Sequence, residues 1–193
     1  MNLEWLLIRG SGLVAFALLS SSVIWGLFLS TKFLGNLTKA KALTWFHESL
    51  GISALLATVL HMVGLSIHEF VPFTWGEILI PGRSEWKPLA VALGVVSFYA
   101  LVVVIGSFYV KKHIGQKAWR RIHYASFGLF LAALLHGILA GTDTTNIWVI
   151  GLYVGSTLAV FGLLAHRFAD AHLERPNTLS SQASRSLNPD SLP

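Results

Sequence analysis

Long apolar runs alternate with short polar connections along this chain. The runs cover residues 10–29, 49–67, 89–110, 122–142 and 144–165. A helix rising about 1.5 Å per residue needs about 20 apolar residues to cross a hydrocarbon core of about 30 Å. Each run therefore predicts a transmembrane helix, with ends that extend a few residues further. The first, third and fifth runs carry no charged residue. The second holds only His61 as an ionisable group, and the fourth only His123 and His136. The first run is longer than the apolar core of a secretory signal, and no small-residue cleavage site with a polar flank follows it. It is expected to be a retained helix.

The connections set an orientation. Lys32, Lys39 and Lys41 follow the first run, and Lys111, Lys112, Lys117, Arg120 and Arg121 follow the third. The second connection mixes Arg83 and Lys87 with Glu69, Glu77 and Glu85, and the fourth holds Asp143 with no Lys or Arg. Positive loops stay in the cytoplasm. The expectation is a multi-pass protein of the cell (inner) membrane, N-terminus outside and C-terminus inside. The second connection also carries Phe70, Phe73, Trp75 and Trp86 among prolines. Aromatics of that kind suit the headgroup region, and a short interfacial helix is expected over residues 73–80. The chain divides into a membrane domain over residues 1–170 and a polar tail over 171–193, expected to be disordered in the cytoplasm.

Composition narrows the class. The chain is 54% hydrophobic and 12% charged, with a mean hydropathy of +0.64. Soluble domains carry about 25% charged residues, so lipid is the expected solvent and the fold class is an all-α membrane helix bundle of about five transmembrane helices. The net charge of +5 is not read as a sign of nucleic acid, because the basic residues sit in the connections where they orient helices, and no nucleic-acid partner is expected. The chain has no cysteine. That excludes disulfides, thiolate ligation of haem or iron–sulfur clusters, and covalent attachment of c-type haem.

Histidine is the chemistry that remains. His47 and His61 lie 14 apart on the second span, and His123 and His136 lie 13 apart on the fourth. Ionisable residues inside a bilayer are costly and usually functional, and imidazole is a standard axial ligand of haem iron. Four ligands are what two bis-histidine haems require. The second and fourth spans run parallel, so His47 and His123 share the inner level and His61 and His136 the outer, about 20 Å further on. A step of 14 residues returns to within about 40° of the same helix face, but a step of 13 misses by about 140°. The fourth span must overwind near Ser126 and Gly128, or its ligands must point in different directions. Gly51, Gly64 and Gly137 lie close to the histidines and would allow either a flat macrocycle or tight helix packing. Arg120 and Arg121 sit just before His123, where they would pair with haem carboxylates as well as orient the helix. His68, His113, His166 and His172 read as interfacial or solvated, with His68 the one near enough to face an outer haem.

At these residues the chain resembles the ferric-reductase-like transmembrane domain family, which includes ferric reductases, NADPH oxidases and the haem subunit of the bacterial methionine-sulfoxide reductase system. The resemblance rests on His47-Glu-Ser-Leu-Gly51 with its step to His61, and on Trp119-Arg-Arg-Ile-His123 with its step to His136. His136-Gly-Ile-Leu-Ala-Gly-Thr-Asp143, Val71-Pro-Phe-Thr74 and Trp86-Lys-Pro-Leu-Ala90 are similar to stand-alone bacterial members. It covers roughly residues 5–168. It implies a core with two b-type haems between the second and fourth spans, in which the 14-and-13 spacing is tolerated. Family members with six spans and a cytoplasmic flavin and nicotinamide domain differ from this chain, which shows five spans and 28 residues after Ala165.

The expected function is transmembrane electron transfer through two bis-histidine haems, as the membrane component of a reductase. A flavoprotein, a quinol or another donor would supply the electrons, and the acceptor is open. Two alternatives stand beside it: a quinol-linked cytochrome b subunit of a larger complex, and a non-redox membrane protein whose histidines move protons or metal ions.

Overall fold

A computed structural model describes residues 3–30, 40–67 and 73–187. Six helices follow one another: α1 (Leu3–Ser30), α2 (Ala40–Ile67), α3 (Trp75–Leu79), α4 (Pro88–Tyr109), α5 (Lys111–Ala140) and α6 (Ile147–Leu187). No strand occurs among the described residues. Five of the helices, all but α3, contain segments long and apolar enough to cross a membrane.

The helices form an antiparallel bundle in which α1 packs along α2 and α4 along α5. α1 also touches α5 and α6, so it occupies the middle. Phe16, Leu19, Val23 and Leu27 of α1 are buried there, in one cluster with Leu129 and Phe130 of α5 and Tyr153 and Val160 of α6. The Phe16 ring lies 5.9 Å from that of Phe130 and meets Tyr153 edge-on at 5.1 Å. The first apolar run is thus an integral part of the bundle core.

Polar groups inside this apolar frame bond locally. The buried Ser20 and Ser97 hydroxyls each donate to the carbonyl one turn back, on Phe16 at 2.8 Å and Leu93 at 2.7 Å. Without water, an unbonded hydroxyl is expensive, and the helix's own carbonyls are the nearest acceptors. The outer faces are apolar instead: Leu60, Leu158 and Trp148 are exposed. Such surface suits acyl chains rather than water.

Two connections depart from expectation. The basic stretch after the third span is helical, not a loop: α5 begins at Lys111 immediately after Val110. Lys, Gln, Ala and Arg are good helix formers, and the break falls at Gly115, whose φ of 81° and ψ of 157° lie outside the helical region. The segment expected to be a disordered tail from residue 171 is helical in its backbone as far as Leu187. Extending an existing helix needs no new nucleus, and residues 171–187 contain no glycine and only one proline, Pro176. A short helix, α3, is present within the stretch 73–80 where one was expected. It opens with a capping box, in which Thr74 accepts from the Glu77 amide at 3.3 Å and the Thr74 amide donates to the Glu77 carboxylate at 2.9 Å.

Candidate functional site

The four span histidines gather into two pairs. The rings of His47 on α2 and His123 on α5 lie 5.9 Å apart and nearly perpendicular, at 77°. His61 on α2 and His136 on α5 line one cavity toward the other end of the bundle. Imidazole nitrogen sits about 2 Å from a bound first-row metal, so two imidazoles on opposite sides of one metal have ring centres about 6 Å apart. The His47–His123 spacing matches that requirement.

Three of the four rings are held by the same device. His61 Nδ1 is 2.9 Å from the carbonyl oxygen of Ile8, and Gly12 lies beside the ring. His47 Nδ1 is 2.9 Å from the carbonyl of Ser22, with Gly26 beside it. His136 Nδ1 is 2.7 Å from the carbonyl of Ala90, with Gly94 beside it. In each case the glycine follows the accepting residue by one helical turn on a neighbouring antiparallel helix. A Cβ at Gly12, Gly26 or Gly94 would meet the imidazole at 3.1, 3.0 or 2.6 Å. Only a residue without a side chain lets the ring lie flat against that helix.

A carbonyl can only accept, so each Nδ1 carries the proton and each Nε2 keeps its lone pair. That is the tautomer a metal-binding histidine needs, and the backbone bond is the usual means of fixing it. His123 is held differently. Its ring stacks on Trp119 at 5.2 Å and 23°, and Lys111 Nζ lies 3.9 Å from the Trp119 ring centre.

The helix-phase problem is resolved by direction, not overwinding. α5 is regular α-helix from Gln116 through Ala140. His136 bonds to α4 while His123 faces His47 and Trp119, so the two rings leave α5 on different faces.

The cavity at the His61–His136 end has a volume of about 470 Å³, within the range of about 300–1,000 Å³ usual for cofactor sites. Its walls are mostly apolar and include Phe16, Leu65, Phe98 and Tyr153, with Phe73, Ile78 and Trp86 from α3 and its flanks. Arg9 and Asp143 also line it and form an ion pair. Among the described residues no group of three His, Cys, Asp or Glu side chains converges.

Arg120 and Arg121 are exposed on α5, one turn before His123 and at the other end from the cavity. The cation that lines the cavity is Arg9, which stands alone between Glu4 and Lys32 in the sequence. The glycines beside the rings also differ from those nearest in sequence. Gly64 and Gly137 are packing positions, where a Cβ would meet Ile8 and the Tyr153 hydroxyl, and Gly51 has only ordinary contacts. Gly12 and Gly26 had a signal of their own. They are 14 apart, as are His47 and His61, so an antiparallel register that places one pair places the other. His113 is exposed, and His68 lies outside the described residues.

The chain belongs to the DUF8596 family, a domain of unknown function. The match covers residues 3–143, which includes all four span histidines, their glycines, Arg9 and Asp143, and ends before α6. No curated protein and no solved structure matches the chain.

Proposed function

We propose that this chain carries electrons across the membrane through two b-type haems, one ligated by His47 and His123 and the other by His61 and His136. The observation that carries the reading is the threefold repeat of one arrangement: ring, carbonyl and glycine one turn on. A helix–helix hydrogen bond alone would not require the same arrangement at three places, each presenting a free Nε2.

The residues fit the group. Cysteine is absent, so ligation falls to imidazole. The cavity is apolar and has space on the scale of a cofactor, and the glycines keep the rings close to their helices. Haem iron with imidazole on both sides exchanges electrons without taking up a substrate. The protein's part is ligation, spacing and exclusion of water. The 14 residues between His47 and His61 set the two levels about 20 Å apart along the membrane normal. Lys112, Lys117, Arg120 and Arg121 are exposed near His123, which supports a cytoplasmic position for that end. In this reading electrons enter there from a flavoprotein or a quinol and leave at the His61–His136 end. The chain would serve as the membrane component of a ferric-reductase-like oxidoreductase.

Haem content per chain, measured by pyridine haemochrome and reduced-minus-oxidised spectra, tests this directly. The native protein is expected to hold two haems and His61→Ala about one. A native protein produced with ample haem that stays colourless would overturn the reading. The histidines would then form a packing, proton or metal network.

A further inference from the structure

The cavity beside His61 and His136 is mostly apolar, and besides the two imidazoles and the hydroxyls of Thr58, Ser97, Thr142, Thr144 and Tyr153 its wall carries one pair of charges. Of its described lining residues, Arg9 is the only Lys or Arg and Asp143 the only Asp or Glu. They lie 134 residues apart, one on α1 and the other in the α5–α6 connection. Arg9 Nε donates to Asp143 Oδ2, and Arg9 Nη2 pairs with Asp143 Oδ1. The contact is therefore side-on. It occupies the Nε edge of the guanidinium.

A guanidinium has five N–H donors, and a side-on carboxylate uses two of them. The Nη1 group and the second Nη2 hydrogen stay available for another acceptor. Asp143 thus does two things: it fixes the plane of the guanidinium and leaves its far edge free. Arg9 also follows Ile8, whose carbonyl receives His61 Nδ1. Two adjacent residues of α1 therefore serve one cavity, Ile8 orienting a ring and Arg9 presenting a cation.

We propose that Arg9 is the anchor for a carboxylate of the molecule that fills this cavity, with Asp143 as the residue that positions it. The inference rests on the haem reading, in which the occupant is a flat apolar macrocycle with acidic side chains. A planar fork suits a carboxylate better than a point charge does. Arg9 then determines which way round the macrocycle sits, while His61 and His136 determine its depth.

The test uses the full-length protein in detergent, freed of haem, and metal-free protoporphyrin IX against its dimethyl ester. Neither probe needs an axial ligand, and they differ only at the carboxylates. Native protein is expected to bind the acid at least about tenfold more tightly than the ester, as loss of a charge-assisted hydrogen bond implies. Arg9→Gln should bind both about as weakly as native protein binds the ester. Arg9→Lys, which keeps the charge, should retain only part of the preference, and it decides the matter if Arg9→Gln does not fold. Equal binding of acid and ester by native protein overturns the proposal, as does a full preference in a folded Arg9 variant. Iron protoporphyrin added to native protein separates the two readings. A low-spin bis-imidazole spectrum without acid preference removes Arg9 and leaves the haem reading standing. No uptake of any porphyrin removes both.

Discussion

The glycine at 94 decides how near the His136 ring can come to α4. A methyl group there would lie 2.6 Å from Cε1 of His136, inside any permitted contact, so the ring must move and its bond to the Ala90 carbonyl must lengthen. Gly94→Ala is therefore expected to lose most of the haem at the His61–His136 end, seen as about half of the Soret absorbance per chain if two haems are bound. Gly106→Ala on the same helix is the control. Nothing lies within 4 Å of its added carbon, so haem content should hold, and exchange of Gly for Ala favours the helix by up to about 1 kcal/mol. Equal loss in both variants would show that the effect is general to α4. At this scale the span histidines were legible and their supports were not. Histidines in or at the edge of apolar runs stand out because a bilayer tolerates few such groups. Which carbonyl receives the Nδ1 of His47, His61 or His136 depends on a neighbouring helix, and Gly64 and Gly137, near histidines in sequence, proved to be packing positions.

Short elements carry their own chemistry. In α3 the Thr74 amide and hydroxyl both donate to the Glu77 carboxylate, at 2.9 and 2.8 Å. The amide bond, and after it the hydroxyl, hold the Glu77 carboxyl below its ordinary range. A carboxyl lowered in the folded state adds stability that is present above its unfolded value and lost as pH falls through the lowered one. Protection of the Thr74 and Glu77 amides, taken against the intrinsic exchange rate at each pH, should accordingly fall on acidification below the ordinary glutamate range. Thr74→Ala should produce faster exchange already at neutral pH, by about fivefold for a lost cap of about 1 kcal/mol. Unchanged exchange in both experiments would show that the box contributes nothing to α3. In α5 the break at Gly115 places Lys111 back over Trp119, which in turn stacks on His123. Its φ of 81° with ψ of 157° strains any residue with a side chain, so Gly115→Ala should cost about 1–3 kcal/mol. The expected readout is a lower thermal midpoint in detergent, and an unaltered midpoint would mean that the turn relaxes freely. The sequence marked this stretch as basic and near the interface. It did not mark it as helical, since charge decides the side of a membrane and propensity decides the backbone.

The whole bundle raises the question of orientation. The absence of cysteine makes it easy to test, because a single introduced thiol is the only one to label. In intact cells, Thr145→Cys in the α5–α6 connection should react with an impermeant maleimide. Lys117→Cys should react only after the membrane is opened. The reverse pattern would invert the direction of electron flow proposed above. The arrangement of α1 at the centre also belongs to this scale. Its apolar run announced a span but not that the span would contribute two of the three carbonyl–glycine supports and the cation of the cavity.

By itself the sequence determined the helical class, the five apolar spans, the short helix α3 and the two histidine levels. Each follows from a local rule: hydropathy over a span, aromatics gathered among prolines, or residue spacing along one helix. The tertiary structure decided which helix faces which, that His136 and His123 leave α5 on different faces, and that Arg9 meets Asp143 across 134 residues. It also decided that a cavity of about 470 Å³ opens between the helices around His61 and His136. Those features arise where side chains of separate helices interlock, and an apolar periodicity that runs all round a membrane helix does not say which face will meet a partner.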